Sequence, residues 1–209
     1  MWTARFTRRS TRPAEVPESN THPINQERTI IDRPRLTKAL DECDSRAILL
    51  LAPAGYGKTT LAQQWIRTVG RSIWLSCTPE HRDVVTFATD VAHRLEPFVN
   101  SAPRAVREYV KAQATPQRSS RRIGSILSDH LKMAEIQWVI IDDYHEIIEA
   151  PEVEQLVDVL QQETLGRMII ASRLRPNWVT ARRILYGEIC EITRDMLAMT
   201  HEESIALTT

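Results

Sequence analysis

The sequence has little of several features that mark secreted, membrane or metal-bound proteins. Its three cysteines stand singly, with no C-x-x-C pair, so we expect reduced thiols rather than a disulfide framework or a zinc site. No stretch approaches the roughly 18 consecutive apolar residues of a membrane span. The 27 basic residues equal the 27 acidic ones, so net charge does not favour a nucleic acid or membrane partner. We therefore expect a soluble, cytoplasmic protein.

The first fourteen residues contain four arginines and no acidic residue, and they lack the continuous apolar run of a secretory signal. This composition also fits an organelle transit peptide, an alternative that stays open beside a disordered basic tail. Prolines then recur as far as about Asn25, with few apolar residues between them. We interpret residues 1–27 as a disordered basic and proline-rich tail.

From Arg46 onward, short aliphatic runs alternate with longer segments of helical period, the pattern of a parallel α/β sheet. The predicted strands cover residues 47–52, 72–76, 138–141, 168–171 and 188–192. The first run is apolar throughout, as expected of a central strand with helices on both faces. The sequence predicts an α/β fold of three layers, with a mainly parallel five-stranded sheet.

Apolar residues at helical spacing predict helices between these strands. One stripe, which Gly70 should end, consists of Leu61, Trp65 and Val69. The next, which Asp83 should cap, consists of Phe87, Val91, Leu95 and Phe98. Pro103 should break this region, and residues 104–131 should be helical with an interruption near Pro116. Two strand tryptophans, Trp74 and Trp138, are interpreted as core residues.

Residues 52–60, which read A-P-A-G-Y-G-K-T-T, match the phosphate-binding pattern G-x-x-x-x-G-K-[ST] except that Ala52 stands at the first glycine. They follow a predicted buried strand and begin a predicted helix, which is the context that the pattern requires. Backbone N–H groups of such a loop and of the helix that follows it bind phosphate oxygens. The predicted nucleotide-binding residues are Ala54, Gly55, Tyr56, Gly57, Lys58, Thr59 and Thr60.

Two side chains of this loop have specific expected roles. Lys58 should reach the β- and γ-phosphates as a point charge, and the Thr59 hydroxyl should ligate Mg²⁺. The loop therefore predicts that ATP or ADP binds together with Mg²⁺, and that the fold is a P-loop NTPase.

Asp142 and Asp143 follow four apolar residues, which places carboxylates at the carboxyl end of a buried strand, where ligands of open α/β sheets bind. Paired aspartates after a strand also occur as loop caps, but together with the P-loop they indicate a Walker B motif. Asp142 should hold Mg²⁺ with Thr59, directly or through water. Asp143 should orient or deprotonate an attacking water.

Three further polar features are less specific. Arg173 ends another strand at the same edge, and residue type alone does not distinguish a γ-phosphate contact from a surface arginine. His145 is interpreted as a polar contact in a turn rather than as a site residue. The basic cluster at 118–122 is interpreted as a solvated loop rather than as a contact to a phosphate backbone.

Four segments together resemble one family. They read A-P-A-G-Y-G-K-T-T-L-A-x-x-W at 52–65, I-W-L-S at 73–76, V-I-I-D-D-Y-H at 139–145 and I-I-A-S-R at 169–173. They are similar to the ATPase domain of MalT-like regulators, the large ATP-dependent LuxR-type transcriptional activators of the STAND class. Residues 31–36 also resemble the segment that lies near the adenine in that family. The resemblance extends over residues 28–205.

The resemblance implies a regulatory switch. In the family, ADP holds a closed monomer, while inducer and ATP allow self-association and DNA binding. It assigns Lys58 and Thr59 to the Walker A motif, Asp142 and Asp143 to the Walker B motif, and Arg173 to the sensor arginine. It also implies weak ATPase activity, in which Asp143 and Arg173 would be the catalytic residues.

The family continues with a winged-helix domain, a superhelical sensor domain and a DNA-binding domain, whereas this sequence stops at Thr209. We expect an NTPase domain at 28–194 and a truncated start of the winged-helix domain at 195–209. The expected partners are ATP and, by association, further copies or full-length relatives. Neither DNA nor a membrane is expected to bind.

Two alternatives to a hydrolysing switch remain open. The first is a nucleotide-binding regulatory fragment without hydrolysis, which would act by oligomerisation. The second is a P-loop kinase for small molecules, which the tandem Asp142-Asp143 and the Ser172-Arg173 pair disfavour.

Overall fold

The computed structural model describes residues 31–112 and 120–206. The tail predicted at 1–27 lies outside these residues, and so do Pro116 and Arg118. The five predicted strands, the P-loop and both aspartates all lie within the described residues.

Within the described ranges five strands form one sheet, and every pair of hydrogen-bonded neighbours in it is parallel. The strands are β1 (Ala47–Leu51), β2 (Ser72–Ser76), β3 (Trp138–Asp142), β4 (Arg167–Ser172) and β5 (Ile189–Thr193). Their order across the sheet is β2-β3-β4-β1-β5. The prediction of a five-stranded parallel α/β domain is confirmed, and each strand boundary agrees within one residue.

Helices connect the strands and cover both faces of the sheet. They are α1 (Pro34–Asp41), α2 (Lys58–Ile66), α3 (Val84–Leu95), α4 (Ala102–Ala112), α5 (Ser120–Met133), α6 (Pro151–Glu163), α7 (Ala181–Leu185), α8 (Arg194–Leu197) and α9 (His201–Ala206). Short 3-10 turns follow two of the strands, at Pro79–Arg82 after β2 and at Tyr144–Glu146 after β3.

The sheet separates two hydrophobic cores. Because successive side chains of a strand point to opposite faces, Leu49 of β1 enters one core and its neighbours Ile48 and Leu50 enter the other. The first core packs against α3, α4, α5 and α6. The second packs against α1 and α2. This arrangement gives the three predicted layers.

The strand order brings distant parts of the chain to one edge. β4 lies between β1 and β3, so the residues that follow β4 lie between the P-loop and Asp142. In a parallel sheet all carboxyl ends meet at the same edge, where ligands of open α/β sheets bind. The P-loop, Asp142 and Arg173 are therefore neighbours, although up to 121 positions separate them in the chain.

Two predicted helices end earlier than their apolar stripes suggested. α2 ends at Ile66, so Val69 lies in the following turn, where it still packs against the second core. α3 begins after Asp83, whose side chain accepts a hydrogen bond from the Thr86 N–H at 2.8 Å, and this confirms the predicted cap. It ends at Leu95, and Phe98 is 42% exposed beyond it. The prediction that Phe98 continues the buried stripe is wrong.

The structure corrects two further expectations, one about Pro103 and one about Trp74. Pro103 was expected to break the region, but it lies in the first turn of α4, where its missing N–H has no intrahelical partner to lose. Trp138 is buried as predicted and meets the Trp65 ring edge to face at 4.6 Å. Trp74 is only half-buried, because β2 is an edge strand with a neighbour on one side.

Candidate functional site

The loop between β1 and α2 has the backbone of an anion site. Gly55 and Gly57 adopt φ values of +85° and +75°, a left-handed region that residues with a Cβ rarely enter. Gly57 is the N-cap of α2, and among the described residues no side chain caps that helix end. The first N–H groups of α2 thus face the loop with the positive end of the helix dipole.

Lys58 is the first residue of α2 and is only 8% exposed. Its ammonium group donates to two carbonyls of its own loop, Ala52 O at 2.8 Å and Pro53 O at 2.9 Å. Burial lowers the pKa of Lys58, and Arg173 adds to this, while Asp143 and Asp142 oppose it. The amine is therefore held at the base of the loop rather than in solvent.

Thr59 and Asp142 join the two predicted motifs. The Thr59 hydroxyl donates to Asp142 Oδ1 at 3.1 Å, and the Asp143 N–H donates to the same oxygen at 3.0 Å. Asp142 is 3% exposed, and burial raises the pKa of its carboxyl. A hydroxyl and a carboxylate at this separation are the oxygen donors that Mg²⁺ prefers, so both residues fit the predicted metal role.

Asp143 turns away from the strand that precedes it. Its φ of 52° lies in the left-handed region, which aspartate tolerates better than most residues. The turn leaves its carboxylate half exposed, whereas that of Asp142 is buried. Two adjacent aspartates therefore occupy different environments, one behind the loop and one at the open cavity.

A cavity of about 340 Å³ lies over the loop. Six P-loop residues and two residues from other strand ends line it: Ala54, Gly55, Gly57, Lys58, Thr59, Thr60, Asp143 and Arg173. Arg173 is exposed and faces the loop from the end of β4. The fold therefore brings together eight of the predicted site residues around one opening.

Two predicted site residues do not line this cavity. Asp142 lies behind Thr59, as its hydrogen bond shows. Tyr56 instead borders a second cavity of about 240 Å³, which Leu197, Ala198 and Met199 close from the other side. The predicted site thus divides into a polar part over the loop and a more apolar part beside Tyr56.

Arg33 and Arg35 join the segment before α1 to the end of the described chain. Arg33 is 6% exposed and donates to Leu197 O at 2.7 Å, and it forms an ion pair with Glu203 at 3.1 Å. Arg35 pairs with the same carboxylate at 2.9 Å. Burial opposes the charge of Glu203, but hydrogen bonds from both arginines outweigh it and lower the pKa to about 2.

His145 lies closer to the site than its interpretation as a turn residue suggested. Its Nδ1 lies 4.0 Å from Asp143 Oδ1, and its Nε2 lies 3.5 Å from Glu146 Oε1. Within the described part of the chain neither ring nitrogen has a hydrogen-bond partner. Burial lowers the pKa of His145, and Arg173 contributes in the same direction.

The model of the AAA domain family matches residues 43–173 of this sequence. That range begins just before β1 and ends at Arg173, so it contains the loop, both aspartates and the arginine. The chain belongs to the AAA domain family. Its fold and its P-loop identify it as an AAA-type nucleotide-binding ATPase domain.

Two curated relatives are both HTH-type transcriptional regulators named MalT. The protein of Klebsiella pneumoniae is 25% identical over 195 residues, and that of Vibrio parahaemolyticus is 26% identical over 193 residues. Each match covers 90% of this chain and 21% of the relative. The chain thus spans about a fifth of the length of the curated relatives that it matches, and it resembles the MalT-like group over that part.

A solved structure supports the fold independently. It is a STAND protein (signal transduction ATPase with numerous domains) with a tetratricopeptide repeat sensor, PH0952 from Pyrococcus horikoshii. The match has a TM-score of 0.58 at 17% identity and covers 89% of this chain and 27% of that one. The likeness confirms the three-layer P-loop fold that the sequence predicts.

None of the helices in residues 31–112 and 120–206 has the length and apolar character that a membrane-spanning helix requires.

Proposed function

We propose that this domain binds ATP and ADP with Mg²⁺, hydrolyses ATP slowly, and acts as the nucleotide switch of a MalT-like transcriptional regulator. The observation that carries the proposal is the hydrogen bond between Thr59 and Asp142, which joins the loop to the acidic strand end at 3.1 Å. A chance match to the P-loop pattern would give no reason to find a carboxylate at that position.

The phosphates would lie over the P-loop. N–H groups of the loop and of α2 would donate to their oxygens, and Lys58 would exchange its two loop carbonyls for phosphate oxygens. The buried ammonium has little water to lose, so a phosphate can replace its present partners at small desolvation cost.

Thr59 and Asp142 would hold Mg²⁺, which in this position neutralises charge on the β- and γ-phosphates. Asp143, half exposed at the cavity, would orient the attacking water or accept its proton. Arg173 would donate to the γ-phosphate from the opposite side of the cavity. Phosphoryl transfer needs mainly positioning and charge neutralisation, which these four residues would provide.

The nucleoside would lie toward the second cavity. Tyr56, Leu197 and Met199 offer an apolar surface there, and this cavity shares Gly55 with the cavity over the loop. The segment that resembles the family's adenine-proximal segment, residues 31–36, lies beside it through the contact of Arg33 with Tyr56 O at 3.5 Å.

We also propose the domain division that the sequence suggests, with the NTPase at 28–194 and the opening of a winged-helix domain at 195–209. In such a regulator, ATP would favour association with further copies of the chain, and ADP would favour a monomer. In such a regulator the NTPase domain alone would not bind DNA.

Calorimetric titration tests the binding part of the proposal. The chain should bind MgATP and MgADP at one shared site, so that each nucleotide displaces the other. If the chain binds neither MgATP nor MgADP, the proposed function is wrong. A parallel release assay for phosphate then separates a slow ATPase from a nucleotide-binding domain without turnover.

A further inference from the structure

Two loops that carry residues of the proposed site are joined by a buried hydrogen bond outside it. The Trp178 Nε1–H donates to the Tyr144 hydroxyl oxygen at 2.9 Å. Tyr144 has no exposed surface, and Trp178 is 9% exposed. Tyr144 directly follows Asp143, and Trp178 lies five positions after Arg173. The bond therefore ties the segment after β3 to the segment after β4.

Glu154 of α6 lies beside this bond and holds the loop that carries Trp178. Both of its carboxylate oxygens accept from the Asn177 N–H, at 3.1 Å each. Burial raises the pKa of Tyr144, and the Glu154 charge adds to this, so the phenol keeps its proton. The Asn177 side chain also donates from Nδ2 to Ile148 O, at 3.1 Å, in the segment after Tyr144. The loop after β4 is thus fixed both to α6 and to the loop after β3.

Arg183 of α7 holds Trp178 from the outside. Its guanidinium lies 5.3 Å from the centroid of the Trp178 ring, and its Nη1 donates to Trp178 O at 3.3 Å. The same nitrogen pairs with Asp158 of α6 at 2.6 Å. Trp178 is therefore held on both sides, and neither contact uses a residue that lines the phosphate cavity.

The link bears on the cavity because Tyr144 and Trp178 follow the two cavity residues Asp143 and Arg173 closely in the chain. At the end of β4, the buried Ser172 hydroxyl accepts a hydrogen bond from Leu174 N at 3.2 Å. This bond fixes the turn that contains Arg173. Asp143 and Arg173 face the same cavity, and each is followed by an anchored residue. A shift of one loop would have to break or move the Trp178 to Tyr144 bond.

We propose that Tyr144 and Trp178 are positioning residues that keep Asp143 and Arg173 aligned across the phosphate cavity, and that this alignment lets the site distinguish ATP from ADP. The inference rests on the proposed function, because it assigns Arg173 to the γ-phosphate and Asp143 to the water that attacks it. Tyr144 and Trp178 touch no nucleotide in this account and act only through their neighbours.

The test compares ATP and ADP affinity in three variants of the full chain: Trp178→Phe, Tyr144→Phe and the double variant. Each single change removes one polar group and keeps an aromatic ring. The affinity for MgADP should be unchanged, because the P-loop binds its phosphates. The affinity for MgATP should fall by about tenfold, the scale of one weakened hydrogen bond between Arg173 and the γ-phosphate. The double variant should lose no more than either single variant, because both act through one bond.

Trp65→Phe is a matched control. Trp65 is 2% exposed and donates its indole N–H to Asp41 Oδ1 at 2.7 Å, on the other face of the sheet. The same chemical change at this position should lower the melting temperature, yet it should leave the ratio of ATP to ADP affinity as in the wild type. A general loss of stability would instead lower that ratio in both tryptophan variants, and this result would overturn the inference.

The remaining outcomes separate the inference from the proposed function. If the wild type binds neither nucleotide, the proposed function fails. If it binds both but the variants keep the wild-type ratio, or if the wild type does not distinguish ATP from ADP, the inference fails and nucleotide binding stands. Should Trp178→Phe not fold, Tyr144→Phe, which removes only a hydroxyl, decides between these outcomes.

Discussion

The Thr59 hydroxyl donates a hydrogen bond of 3.1 Å to the Asp142 carboxylate, although 83 positions separate the two residues in the chain. The strands that lead to them are not neighbours, because β4 lies between β1 and β3. The bond therefore joins two strand ends on either side of β4, and Thr59 lines the same cavity as Arg173. It brings together a hydroxyl and a carboxylate, oxygen donors of the kind that Mg²⁺ prefers.

Replacement of Asp142 by asparagine tests the proposed metal role. The variant should bind ADP without Mg²⁺ as well as the wild type does, since the loop N–H groups and Lys58 are unchanged. Mg²⁺ should strengthen ADP binding by the wild type. In the variant this strengthening should be at least about tenfold smaller, as for changes around other metal ligands. Titrations with Mg²⁺ and with EDTA measure this. A variant with the full Mg²⁺ effect would show that Asp142 is not a ligand.

Replacement of Asp143 by asparagine separates hydrolysis from binding. Nucleotide affinity should change little, because the Asp143 side chain is half exposed and lies beside the loop. Phosphate release should slow by about 10²- to 10⁴-fold, the usual contribution of a general base. Asp129→Asn on α5, an exposed position, is the control and should keep the wild-type rate. Equal turnover in the wild type and Asp143→Asn would contradict the hydrolase interpretation.

Gly124 should not tolerate alanine, although alanine is the better helix former. In an open helix the change would stabilise by about 1 kcal/mol. A Cβ at Gly124 of α5 would instead lie 2.8 Å from Val159 Cγ1 and 3.3 Å from the Leu156 carbonyl of α6. We expect a loss of about 1–3 kcal/mol from overpacking. Urea unfolding measures the change, and a gain in stability would show that the helices separate easily.

Glu203 should make stability depend on acid pH. Its pKa in the folded protein is about 2, below the ordinary value of 4.5. The charged carboxylate therefore stabilises the fold above pH 4.5, and this contribution is lost as the pH falls from 4.5 toward 2. Wild type should thus melt higher than Glu203→Gln at neutral pH, and the difference should vanish near pH 2.

The exposed neighbour Glu202 provides the control for that experiment. Glu202→Gln should melt like the wild type at every pH, because no arginine holds its carboxylate among the contacts of the described chain. A pH-independent difference between wild type and Glu203→Gln would show that Arg33 and Arg35 do not hold a charged Glu203.

Much of the fold followed from local patterns. The strands were predicted because continuous aliphatic runs such as 47–52 are long enough for a strand and too short for a buried helix. The P-loop was predicted because its function depends on adjacent residues, namely Gly55, Gly57 and Lys58. Helix ends were less certain: Val69 and Phe98 keep the apolar spacing beyond the last helical residue, and spacing alone does not show where a helix stops.

Contacts between distant segments were predicted only where two motifs share one ligand, as for Thr59 and Asp142. The insertion of β4 between β1 and β3 decides that Arg173 faces the P-loop, yet nothing in the β4 sequence specifies its neighbours. The link between Trp178 and Tyr144 depends on the same packing. The resemblance of residues 31–36 to the family's adenine-proximal segment indicated that Arg33 lies near the site. Its partner Glu203 lies 170 positions away, and only the fold shows that the two are in contact.

Nucleotide binding by Lys58→Ala tests the central claim most directly. The variant loses the buried ammonium at the base of the loop, while its circular dichroism spectrum should match that of the wild type. We predict that calorimetry detects no binding of MgATP or MgADP by the variant, and that Lys132→Ala on α5, as the control, binds both like the wild type. Undiminished nucleotide binding by a folded Lys58→Ala protein would contradict the account and place the site elsewhere.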